Sequence, residues 1–242
     1  MRYRDFIKLV EVMDVIKKHL GITWIPHFST LCKFYMRISS AFLSKIYKQV
    51  AGFFYRNSGR VSTIAIDSTG FSVERFSYYY SMRTAKTRRD YINVSLAVDA
   101  KKQVILGFKI TKSRQHDTKH AKSLLRNTLK KAECYVLDRG YDSEHIHRQI
   151  RTELQAKSLI PLRDWNAGYV NGPFRSEMTT DFDKKIYGQR NKAETVFSVM
   201  KRRFGDEITT RRFRNQVKEV KIKCIVYSVD RFLKNQRIFL VD

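Results

Sequence analysis

Val61-Ser-Thr-Ile-Ala-Ile-Asp67 is followed by Tyr91-Ile-Asn-Val-Ser-Leu-Ala-Val-Asp-Ala100 and then by Gln103-Val-Ile-Leu-Gly-Phe-Lys-Ile-Thr111. Each run is short, rich in β-branched residues and separated from the next by turn-like sequence, so each reads as a strand. Downstream, residues 116–132 read as a helix, 132–138 as a buried strand, 143–154 as a second helix and 157–162 as a short strand. Residues 163–183, with Gly168, Gly172 and Pro173, read as a loop or small insertion. A helix is expected through Tyr187–Lys201, and a last amphipathic helix after Gly205, over about 216–236. Three strands, helix, strand, helix, strand, helix predict an α/β domain with a mixed sheet flanked by helices. That order alone fits several folds.

Upstream, residues 1–60 form a small, basic, helical N-terminal region. Phe6–Leu20 has apolar residues at helical spacing, with Gly21 as its stop. After Pro26, residues 27–56 carry a long amphipathic pattern with Ser29 as the expected N-cap. A helical pair this basic fits part of a DNA-binding or dimerisation unit, or equally a buttress for the next domain.

The chemistry concentrates in Tyr187-Gly-Gln-Arg190-Asn-Lys-Ala-Glu194-Thr-Val-Phe-Ser-Val-Met-Lys201. At about 100° per residue, Tyr187, Arg190, Glu194 and Lys201 fall within roughly 60° of one another on a helix. Ala193, Val196, Phe197, Met200 and Phe204 gather on the adjacent face, which is expected to pack on a core. Two further acids, Asp67 and Asp138, stand where strands are expected to end. Three carboxylates on three elements could converge on divalent metal. Taken singly, each acid has a plainer role. An Asp after a strand is often a turn or cap residue, and a helix Glu pairs with neighbouring cations. Asp142 is expected to cap the helix that follows it, and Asp117 the helix before.

The formal charge is +25, from 48 Lys and Arg against 23 Asp and Glu. An excess of that size calls for a polyanionic partner. Nucleic acid is favoured over membrane, since no uncharged apolar run approaches the ~20 residues that span a bilayer. Arg83, Lys86, Arg88 and Arg89 form one basic cluster, and Lys201, Arg202, Arg203, Arg211, Arg212 and Arg214 another. Both fit a surface that tracks phosphates. Cys32, Cys134 and Cys224 have neither zinc-ligand nor disulfide-framework spacing and are expected as buried free thiols. Charges at Arg2, Arg4, Asp5 and Lys8 interrupt any signal-peptide pattern, so a cytoplasmic location is expected.

The spacing of Tyr187, two residues, Arg190, three residues, Glu194, six residues, Lys201 resembles the signature of a branch of DDE-type insertion-sequence transposases. The segments IAIDSTG around Asp67 and VLDRGYDS around Asp138 resemble those carrying that family's first two catalytic aspartates. The likeness covers about residues 61–204, in the family's order. It implies a ribonuclease H-like catalytic domain over 61–242, closing on the C-terminal helix. It implies Asp67, Asp138 and Glu194 as catalytic acids and ligands of two Mg²⁺ ions, with Mn²⁺ able to substitute. It further implies cleavage of double-stranded DNA at transposon ends and strand transfer to target DNA, by a homodimer. Tyr187, Arg190, Lys201, Arg88, Arg89, Arg202 and Arg203 are the expected DNA contacts.

The alternatives are a silent DNA-binding remnant of such an element and a ribonuclease H-like nuclease acting on RNA or hybrids. The resembling transposases usually carry more sequence ahead of residue 1, so either part of the end-recognition region is missing or the chain starts at an internal methionine. Asn93 stands where they commonly have a lysine.

Overall fold

The computed structural model describes residues 3–55, 59–73, 90–112, 117–163 and 169–238. The chain divides into two compact units, residues 1–43 and 44–242. In the first, α1 (Tyr3–Glu11) and α2 (Asp14–His19) replace the single helix expected over Phe6–Leu20. The long amphipathic run that follows is likewise two helices, α3 (Phe28–Arg37) and α4 (Ser40–Gly52), the latter crossing into the second unit. Ser29 is not a cap: α3 starts at Phe28, and the Ser29 hydroxyl pairs with His27 Nδ1 at 2.8 Å. The break at Ile38-Ser39 has a local cause. Ser39 Oγ accepts the Phe42 N–H at 3.0 Å, which satisfies a free donor at the start of α4.

The second unit is built on a mixed sheet of six strands among the described residues. They are β1 (Val61–Val73), β2 (Asp90–Asp99), β3 (Ile105–Thr111), β4 (Ala132–Leu137), β5 (Lys157–Leu159) and β6 (Glu207–Ile208). Their order is β3-β2-β1-β4-β5, with β6 pairing the far end of β1. β1, β2 and β3 are antiparallel neighbours, whereas β4 and β6 run parallel to β1, and β5 parallel to β4. Helices α5 (Asp117–Arg126), α6 (Glu144–Arg148), α7 (Pro173–Thr180), α8 (Lys184–Tyr187), α9 (Asn191–Phe204) and α10 (Phe213–Ile238) flank this sheet. This is a ribonuclease H-like α/β arrangement, as the family resemblance implies.

β1 is central and its middle is sequestered: Ile64, Ala65 and Ile66 have no exposed surface. Burial on both faces explains why this run is continuously apolar rather than alternating. β1 does not end at Asp67, as its sequence suggests, but continues to Val73. Ser68, Thr69 and Gly70 look like a turn, yet they pair with Ser95, Val94 and Asn93 of β2. Gly70 is suited to this place because a Cβ there would meet the Tyr91 ring at 3.3 Å. The pairing of a long neighbour strand overrides local turn propensity.

Other boundaries move as well. α5 stops at Arg126, where Asn127 Nδ2 donates to the Ser123 carbonyl at 2.7 Å and Thr128 Oγ1 to that of Leu125 at 3.0 Å. Side chains that reach back to the last turn end helices in this way. The stretch read as a loop over 163–183 contains α7, begun by Gly172 and by Pro173 at the first helical position. Gly172 has φ of 101°, and a Cβ on it would overlap the Glu144 carboxylate at 2.3 Å. Cys134 and Cys224 are buried free thiols, whereas Cys32 is exposed.

Candidate active site

Strand register brings the first two acids together. β1 and β4 are parallel with Ile66 opposite Leu137, so the next residue on each chain is an aspartate, Asp67 and Asp138. Neighbouring strands lie about 4.8 Å apart, which places the two carboxylates side by side at the carboxyl end of β4. Asp138 then leaves the sheet. It caps the 3₁₀ turn Arg139–Tyr141 by accepting the Gly140 N–H at 3.4 Å.

The third acid arrives on α9, which packs against β1 and β2. Ala193, Val196, Phe197 and Met200 are its buried face, as the periodicity predicts. The motif is not one uninterrupted α-helix. α8 ends at Tyr187, a 3₁₀ turn spans Gly188–Arg190, and α9 begins at Asn191. Glycine is a poor interior helix residue, so the tightening falls at Gly188. The turn nonetheless keeps Arg190 and Glu194 one helical turn apart.

Arg190 ties the three acids into one site. Its Nη2 lies 2.9 Å from Glu194 Oε1, and its Nη1 lies 3.8 Å from Asp67 Oδ2 and 3.9 Å from Asp138 Oδ1. The Arg190 and Asp67 side chains are 18% and 16% exposed, against 46% for Asp138 and 53% for Glu194. The site is therefore closed at Asp67 and open to solvent at the other two acids. Burial pushes the Asp67 carboxyl up to about 6. The Ser68 N–H, 2.8 Å away, and Arg190 oppose that shift, while the charges of Asp138 and Glu194 add to it.

Thr69 and Phe71 follow Asp67 on the same face of β1. Lys201 reaches them from the last turn of α9: its Nζ donates to Thr69 Oγ1 at 2.8 Å and lies 5.4 Å from the centre of the Phe71 ring. The ammonium thus continues the row of acids along the strand. Tyr187 packs on Phe182 with ring centres 5.1 Å apart, and burial raises its phenol above the ordinary value, a shift Arg190 opposes. Arg202 is exposed, and Arg203 forms an ion pair with Asp230. Arg88, Arg89 and the rest of their cluster lie outside the described residues.

Asp142 does not cap the following helix, whose N-cap is Ser143. Its carboxylate is buried and accepts Arg175 Nε and Nη2, each at 2.8 Å, and the Arg163 N–H at 3.0 Å. Arg163 in turn donates to the Arg139 carbonyl at 3.1 Å and to that of Gly140. Two arginines from beyond β5 thereby fasten the turn that carries Asp138. Neither was visible as a partner in the sequence, because an isolated Arg in a loop carries no spacing signal.

Residues 59–229 match the transposase DDE domain family, more than half of the chain. The chain belongs to that family. The DDE domain is accordingly a transposase-type nuclease, with DNA as the partner its family implies. No helix among the described residues is long and apolar enough to cross a membrane.

The oxygen donors of the DDE domain's acid trio are of the kind that Mg²⁺ prefers. Among the described residues, however, no three His, Cys, Asp or Glu are arranged to ring a single ion. The shared centre of the trio is taken by the Arg190 guanidinium. Donor chemistry fits the metal, and the present side-chain positions favour the internal cation.

Proposed function

We propose that the domain cuts double-stranded DNA at the ends of a mobile element and joins those ends to target DNA. The convergence of Asp67, Asp138 and Glu194 on one guanidinium carries this reading, because three separate elements must place their acids together to achieve it. Asp67 would hold two Mg²⁺ ions, Asp138 one of them and Glu194 the other, with Mn²⁺ as a substitute. When bound, such a pair activates an attacking oxygen and stabilises a leaving one.

The chain's own residues supply the rest. Arg190 and Lys201 meet the phosphates on either side of the cut, the first as a planar fork and the second as a point charge. Tyr187 stacks beside the displaced nucleotide. Exposed Arg202, Arg211, Arg212 and Arg214 extend the phosphate track beyond α9. Attack by water frees a 3′-hydroxyl, which then attacks target DNA at the same acids. Pairing two element ends calls for two copies of the chain, acting on DNA in the cytoplasm.

Mn²⁺-dependent nicking of supercoiled plasmid tests this directly, with Asp138→Asn prepared in parallel. Nicking by the wild type alone is expected. Equal nicking by both proteins would remove Asp138 from the reaction. Lys201→Ala separates DNA contact from chemistry. It is expected to weaken duplex binding about tenfold at low salt and to flatten the log K against log salt slope by about one. Fluorescence anisotropy across a salt series reads both values, and an unchanged slope would mean that Lys201 serves Thr69 and Phe71 rather than phosphate.

A further inference from the structure

The Arg190 guanidinium sits within 4 Å of a carboxylate from β1, from the end of β4 and from α9. Its side chain is mostly enclosed, so this placement is fixed by packing rather than by chance of a surface rotamer. Three carboxylates at such distances repel one another, and a resident cation offsets that repulsion. The same cation opposes entry of a second one, because both would draw on the same oxygens. An arginine stays protonated across the accessible pH range, so acid or base cannot lift this opposition. Another anion can. The planar fork that meets a carboxylate meets a phosphate equally well. Lys201, held on Thr69 in the same row, offers an approaching phosphodiester a second positive charge beside the trio.

We propose that Arg190 is an internal counter-ion that keeps the acid trio poor in metal until a DNA phosphate draws the guanidinium away. Divalent metal and DNA then bind cooperatively through one side chain. This rests on the trio being the metal-binding set. Linkage makes the coupling reciprocal: whatever factor DNA adds to metal affinity, metal adds to DNA affinity. The arrangement would leave the free protein with little bound metal and so with little capacity for stray cleavage.

The test is Mn²⁺ binding to the full-length chain by electron paramagnetic resonance, with and without a short duplex. Arg190→Gln is expected to bind Mn²⁺ at least about tenfold more tightly than wild type without DNA, the scale for removing one unit charge from such a site. Duplex should tighten Mn²⁺ on the wild type by a similar factor and leave Arg190→Gln unchanged. Arg190→Lys keeps the charge but loses the fork, and should fall between the two. If Arg190→Gln binds Mn²⁺ no more tightly than wild type, while Asp67→Asn abolishes binding, the counter-ion role is overturned and the metal site stands. Absence of any Asp67-dependent Mn²⁺ binding, with or without duplex, overturns both. Should Arg190→Gln fail to fold, the duplex effect on the wild type decides: no tightening overturns the proposal.

Discussion

Asp67→Asn is expected to abolish strand cleavage while making the metal-free protein more stable at neutral and alkaline pH. The loss of cleavage should reach about a thousandfold or more, since a shared metal ligand is worth several kcal/mol of barrier. The gain in stability follows from burial. The Asp67 carboxyl is lifted from 3.8 to about 6 in the folded protein, mainly because its charged form loses water. The unfolded chain has no such penalty. Between about pH 4 and pH 6 the folded state therefore binds more protons than the unfolded state, and stability falls as pH rises through that window. Above it, the ionised Asp67 leaves the fold weaker by about 2–3 kcal/mol, a cost that asparagine avoids. Urea unfolding of both proteins in chelator, at about pH 4 and about pH 8, checks this: the curves should nearly coincide at the lower pH and separate at the higher. A variant no more stable at about pH 8 would mean that Arg190 and the Ser68 N–H fully compensate the buried charge. Loss of function joined to a gain in stability is the mark of a group kept for chemistry rather than for folding.

Asp142→Ala should instead lower stability. Its carboxylate has no exposed surface, and Arg175 pairs with both of its oxygens. Removing it strands a largely buried guanidinium and frees the Arg163 N–H, so a loss of about 3–5 kcal/mol is expected. In a domain of this size that lowers Tm by about 10 °C. Differential scanning calorimetry gives the value. The double variant Asp142→Ala with Arg175→Met should lose less than the sum of the two single changes, because the pair is removed together. Additive losses would show that Asp142 and Arg175 stabilise the domain independently. Cleavage should also fall in Asp142→Ala, since the same network holds Arg139 and Gly140 behind Asp138.

These two aspartates also mark how far the sequence could be read. β2, β3 and β4 were legible because their burial demands runs of β-branched and apolar residues. The helix face Ala193, Val196, Phe197 and Met200 was legible because its period is helical. The meeting of Asp67 with Asp138 was implied by the family resemblance rather than by either strand, since it depends on the register of β1 against β4, which no single strand encodes. The full length of β1 was hidden behind Ser68-Thr69-Gly70, whose turn propensity yields to pairing with β2. Asp142 looked like a cap because caps are local, whereas its partners Arg163 and Arg175 come from beyond β5. The two-residue β6 is too short to leave a pattern. Arg190 was seen as a phosphate contact; its spacing to Glu194 foretold one ion pair, but the other two arise only from the sheet.

The order in which the acids enter the chain has a consequence for synthesis. Asp67 on β1 and Asp138 just past β4 are made before Arg190 and Glu194, and α9 is backed by α10 at the C-terminal side. A chain still on the ribosome, or one cut short before α9, carries two acids with neither their third member nor their cation. Under the proposed function, such a fragment lacks the full set of acids for cleavage. On that reading, translation through α9 becomes a condition for chemistry.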